Sequence, residues 1–234
     1  MRKVLVALFG LLILAAPVGA QDAPPVSINI GAGVLMPLSG LKDAFDTGWN
    51  GGIGATFNVK PTFGLQAEYM YNWMPGPEKT ILVSPVPGGA TSAQLIESNH
   101  NIHSLTFNGV WSSPRTAKVG GYGVGGVGYY HRTVQLTSPA VGYATVCDPY
   151  WYWCYPAAVS VDNILVDRSQ NNFGINFGGG VTFGGESAKF YVEFRYHYVW
   201  GDEVRQQVAV PGGPCEQVCS TDAQYLPITF GVRW

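Results

Sequence analysis

Apolar and small polar residues alternate with a period of two through long segments of the chain after Val26. That period suits strands and excludes helices, whose faces repeat every 3.6 residues. Val26, Ile28, Ile30, Ala32 and Val34 share one face of a first segment, against Ser27, Asn29, Gly31 and Gly33. Ile53, Ala55, Phe57 and Val59 oppose Gly52, Gly54, Thr56 and Asn58 in a second. A third sets Phe63, Leu65, Ala67, Tyr69, Tyr71 and Trp73 against Gly64, Gln66, Glu68, Met70 and Asn72. His103, Leu105, Phe107 and Trp111 form one face of a fourth. The fifth, Val119 to His131, is so rich in glycine that its faces stay unassigned. The sixth, seventh and eighth place Phe173 to Phe183, Phe190 to Tyr198 and Leu226 to Trp234 on alternating apolar faces. Segments of about ten residues match the ~9–11 that a tilted strand needs to cross a bilayer.

The connections sort by length. Lys60-Pro61-Thr62, the stretch from Ser112 to Ala117 and the stretch from Gly184 to Ala188 are short. The connections at 37–48, 75–100, 133–171 and 201–224 are mostly long, and the two kinds alternate. Membrane barrels have short turns at one end and long loops at the other, whereas a soluble barrel has no cause to sort its loops. Face chemistry points the same way. The polar faces hold mainly Gly, Asn, Thr and Ser, and only 12% of the chain is charged. A solvated outer face would be rich in Lys and Glu, while small polar residues suit the crowded inside of an eight-stranded tube. The expected fold is therefore all-β, an eight-stranded antiparallel up-and-down transmembrane β-barrel with its apolar faces outward.

Arg2 and Lys3, an uncharged run from Val4 to Ala16 and the small residues before Gln21 read as a signal peptide over 1–20. The rest, 21–234, reads as a single barrel domain with long external loops near 75–100, 133–171 and 201–224. Without Arg2 and Lys3 it carries 11 basic and 15 acidic residues. That balance offers no field for nucleic acid. The expected surroundings are outer-membrane lipid, with an unidentified extracellular ligand or surface partner at the loops.

Some residues stand out against this pattern. Glu193, Arg195 and His197 lie at i, i+2 and i+4 and so point together into the lumen, where Glu68, Lys60 and Arg233 also fall by parity. Buried charges must be paired. The first reading is a network that fills and rigidifies the tube, and the second is an ion-pair gate in a narrow solute channel. Cys147 and Cys154 share one long loop, and Cys215 and Cys219 another. In an oxidising compartment local disulfides are expected, the alternative being bridges that tie the two loops together. Tyr150, Trp151, Tyr152, Trp153 and Tyr155 crowd the third long loop as a surface aromatic patch. No cofactor or metal site is expected: the Cys spacings match no zinc pattern, and His100 and His103 fall on opposite strand faces. Gly123 to Gly128 formally matches a dinucleotide fingerprint, but no helical pattern follows it.

The ending Tyr225-Leu-Pro-Ile-Thr-Phe-Gly-Val-Arg-Trp234 resembles the last strand of Gram-negative outer-membrane barrels. With Phe190 to Tyr198 and the glycine-rich fifth segment, the chain resembles the small OmpA/OmpX-like outer-membrane β-barrel family from about Val26 to Trp234. The resemblance implies that Phe230 and Trp234 act as an assembly signal for the barrel assembly machinery. It implies an outer-membrane location and a role in envelope integrity or surface interaction, and interior Glu–Arg networks of the kind seen above. It carries over no cell-wall tethering, since no peptidoglycan-binding domain follows Trp234. Eight-stranded lipid A deacylases use a His-x-Ser element, but here the corresponding stretch is His197-Tyr198-Val199, and valine cannot attack. No enzymatic activity is expected.

Overall fold

A computed structural model describes residues 25–83, 92–113, 118–148, 150, 153–185, 188–205 and 218–234. The expected leader lies outside these residues. The strands are β1 (Val26–Leu38), β2 (Gly48–Lys60), β3 (Phe63–Pro75), β4 (Lys79–Val83), β5 (Ser92–Ser112) and β6 (Val119–Asp148). They continue with β7 (Trp153–Gly184), β8 (Lys189–Val199), β9 (Glu203–Arg205), β10 (Val218–Ser220) and β11 (Ala223–Arg233). Eight of them pair antiparallel in a ring, β1-β2-β3-β5-β6-β7-β8-β11, and β11 returns to β1. The seam runs from Asn29 opposite Arg233 to Leu38 opposite Gln224. Trp234 finishes it by exchanging backbone bonds of 2.9 and 3.0 Å with Ile28. This is the closed eight-stranded antiparallel barrel that the alternation implied.

The tube has a turn end and a loop end. Pro61 and Thr62 join β2 to β3 at the turn end, where proline has no ladder donor to lose. At the loop end β6 and β7 outrun their neighbours. β5 accompanies β6 only as far as Glu97 opposite Thr137, whereas β6 and β7 stay paired up to Asp148 opposite Trp153. The result is a two-stranded ribbon standing above the barrel. The stretch 159–166 is part of it, as an extension of β7. A disulfide between Cys147 and Cys154 pins its tip. The pairing of Cys215 with Cys219 lies outside the described residues.

Amphipathicity inverts along single strands. Over most of the tube the outside is apolar and the inside polar. On β5, Leu105 and Phe107 are exposed while Ser104, Thr106 and Asn108 are buried. Nearer the loop end of the same strand, Ile102 is buried and Asn101 lies outside, where its Oδ1 accepts a 2.7 Å bond from the Tyr71 hydroxyl. β11 and β8 repeat this, with Ala223, Tyr225 and Val199 buried and Gln224 and Tyr198 on the outside. A wall facing hydrocarbon must be apolar outside, and a wall facing water must be apolar inside. The switch therefore marks where the apolar band stops. Aromatic side chains gather at both limits: Phe63, Trp111, Phe183, Phe190 and Trp234 at the turn end, Trp49, Tyr71 and Trp73 at the loop end. The ten steps from Phe63 to Trp73, at about 3.3 Å each and a tilt of about 40°, rise about 25 Å, the height of an outer-membrane apolar band.

The glycine-rich fifth barrel strand takes its facing from its neighbours. Tyr122, Val124, Tyr130 and Arg132 turn inward, and Val127 and Tyr129 outward. If the band lies where the inversion puts it, Phe107→Arg lowers the unfolding free energy in lipid vesicles by about 2–4 kcal/mol, while Gln135→Arg, above the boundary, leaves it within about 0.5 kcal/mol. Reversible urea titration in vesicles of matched thickness measures both.

Candidate functional site

The centre of the lumen is an ionic cluster built from opposite walls. β8 presents Glu193, Arg195 and His197 on one face, and β3 presents Glu68 across the tube. The Arg195 guanidinium lies between the carboxylates, with Nη1 on Glu68 and Nη2 2.5 Å from Glu193. All three side chains are almost completely buried. Their remaining oxygens are also used. Asn29 donates to Glu68 at 3.1 Å, and the Tyr122 hydroxyl donates to Glu193 at 2.8 Å. From Asn29 the network runs on through Gln66 (3.0 Å), Asn108 (3.4 Å) and Asn176 (2.9 Å). β1, β3, β5, β6, β7 and β8 thus share one connected polar layer.

His197 and Arg233 stand apart from the carboxylates. The His197 Nδ1 is 2.9 Å from the Tyr130 hydroxyl, and its ring stacks on Tyr225 at 4.8 Å and 7°. Val199, buried as well, follows two residues later on the same face. The guanidinium of Arg233 lies over the rings of Tyr122 and Tyr191, 4.8 and 5.6 Å from their centres, a cation–π arrangement. Lys60, which parity placed inside, is exposed at the end of β2, past a register shift between Asn58 and Lys60. Parity fails wherever a bulge adds a residue.

The interior holds one decisive feature that strand parity does not encode. At the loop end the lumen is closed by an apolar plug. Leu35, Met74, Ile102, Tyr130, Val199, Ala223 and Tyr225 are fully buried across the tube. The 3-10 turn Ser39–Asp43 folds over them and adds Leu41 and Phe45. The Phe45 ring sits 4.9 Å from that of His100, and the Asp46 amide donates to the Pro75 carbonyl at 2.7 Å. Gly128 and Gly174 let the Tyr130 ring lie across the bore, since a Cβ at either would come within 2.9 and 2.8 Å of its edge. Arg132 ties the rim, donating at 2.7 Å to the Thr221 carbonyl. Val110, Tyr122, Val124 and Tyr191 pack together towards the turn end. Beyond them a shallow recess opens past Ser27, Thr56, Lys189 and Arg233. The signal for the plug was present: Leu35 and Met74 continue the inward registers of Gly33 and Asn72.

Outside the lumen, Phe230 and Trp234 face outward and are exposed. At the ribbon tip Tyr150 is 79% exposed and Tyr155 is exposed as well. Trp151, Tyr152 and the Trp153 side chain lie outside the described residues.

No family model matches the chain, and no curated protein matches it. Solved structures of small barrels do resemble it. Neisserial surface protein A is 13% identical, with 91% of this chain and 98% of that one covered at a TM-score of 0.45. A major outer membrane protein of Thermus thermophilus is 11% identical, covering 89% and 98% at 0.45. Ail, the attachment invasion locus protein of Yersinia pestis, is 14% identical, covering 89% and 97% at 0.41. The fold itself stands on this chain's own strand pairings.

Removing one partner of a buried ion cluster leaves uncompensated charge, at a cost of about 3–5 kcal/mol, whereas replacing the whole cluster with neutral groups costs far less. Arg195→Met is accordingly expected to lower the urea midpoint sharply, and E68Q/E193Q/R195M to recover most of it. Unfolding followed by tryptophan fluorescence compares the two.

Proposed function

We propose that this chain is an integral outer-membrane β-barrel with a closed lumen, working through what it displays above the membrane and not through what passes inside it. The observation that carries this reading is the plug. A solute pathway would have to run through Leu35, Met74, Ile102, Val199 and Tyr225, all without solvent exposure, and then past Arg195 held by two carboxylates. Close-packed side chains leave no room for even a water file. The expected leader, the outward apolar band and the aromatic limits support export and insertion into the outer membrane, with lipid as the surrounding partner.

What the barrel then contributes is a fixed platform. The β6–β7 ribbon continues two barrel strands into the medium. Its disulfide holds the aromatic tip shut, in an exported and so oxidising setting. We read surface interaction through this ribbon and its neighbouring loops, together with a contribution to envelope integrity, as the function. Aromatic rings displayed on a stiff support bind with little ordering cost.

Single-channel recording tests the closed lumen. The refolded chain in a planar bilayer is expected to give no stable conductance steps, and Arg195→Ala likewise, because the plug does not depend on that arginine. Regular steps from the unmodified chain would favour the channel reading and overturn this one.

A further inference from the structure

The chain has four histidines. His100 and His197 are sealed in the lumen with no exposure. His103 and His131 are on the outer wall, and the register sets them directly opposite each other on β5 and β6. They belong to one horizontal row of four strands, Tyr71, His103, His131 and Asn171, at the level where amphipathicity inverts. Their ring centres are 6.2 Å apart.

We infer that His103 and His131 together form a site for a borderline divalent transition cation, Zn2+, Ni2+ or Cu2+, on the outer wall at the loop-end edge of the apolar band. Imidazole is the ligand these ions share. A metal–nitrogen bond of about 2.0–2.1 Å, plus about 1.1 Å from nitrogen to ring centre, puts two imidazoles on one ion about 5–6 Å apart, centre to centre. The observed 6.2 Å is just beyond that range, and a small rotation of the two rings towards each other closes the difference.

The surrounding hydrogen bonds point the same way. The His131 Nδ1 is 2.7 Å from Asn171 Oδ1. An amide oxygen only accepts, so Nδ1 carries the proton and the lone pair is on Nε2. The His103 Nδ1 is 2.7 Å from the Tyr69 hydroxyl. In each ring Nδ1 is engaged by a neighbour that orients it, the arrangement of histidine metal sites generally; the His131 Nε2 also meets the Thr133 hydroxyl at 3.5 Å, a long contact that a metal would displace. Tyr71 packs on His103 with ring centres 4.9 Å apart and limits its swing. Among the described residues no third histidine, cysteine or carboxylate joins the pair, so water completes the coordination. The site is independent of whether the lumen conducts.

The test uses the full-length mature chain without an affinity tag, stripped of metal in detergent micelles. Zinc chloride titrated calorimetrically is expected to bind at one equivalent. His103→Ala and His131→Ala should each weaken it by tenfold or more, and Asn171→Ala by about tenfold through loss of the orienting bond. Cu2+ gives a second, spectroscopic readout: paramagnetic resonance should show coupling to two imidazole nitrogens in the unmodified chain and to one in either histidine variant. Heat-modified migration on gels verifies that each variant is folded. No binding at millimolar zinc, or binding that survives both histidine substitutions, would overturn the assignment.

Discussion

In hydrocarbon no water is available to satisfy a backbone amide or carbonyl, so a strand edge cannot be left open. The seam between β1 and β11, completed by Trp234 on Ile28, removes the last edges. With the ring closed, side chains decide what faces lipid and what faces the bore. A tube of eight strands is narrow, and whatever points inward must interlock. That crowding explains why so many inward positions are glycine, asparagine, serine and threonine.

The interior then divides by height. In the apolar band most inward side chains are polar, and polar groups out of contact with water must find one another. The Glu68–Arg195–Glu193 cluster and the amide chain from Asn29 to Asn176 are the consequence. Above the band the wall meets water, and the interior can be apolar like that of a soluble protein. The plug under the turn Ser39–Asp43 occupies that zone. One strand can serve both zones because two successive stretches of it obey opposite rules.

Most of the strands were legible in advance, because a period of two is local and survives without tertiary knowledge. Inward placement of Glu68, Glu193 and Arg195 followed from the same parity. Partnership did not. Arg233 shares their face, yet it lies over Tyr122 and Tyr191 and not beside a carboxylate, since contact depends on height as well as side. The fifth barrel strand, nearly bare of side chains on both faces, had no contrast for parity to read. The plug was missed because its members are apolar on what is elsewhere the polar face, which reads as noise until the boundary of the band is known.

The number of barrel strands, their outward apolar faces and the short-long order of their connections are each a property of a few adjacent residues and can be read along the chain. Register, closure and filling arise when the strands assemble. His103 and His131 are far apart along the chain and become neighbours through the pairing of β5 with β6. Leu35, Met74, Ile102, Val199 and Tyr225 come from five different strands and meet only across the bore. Such contacts depend on the stagger of strands around a closed ring, and stagger is set by all eight pairings at once.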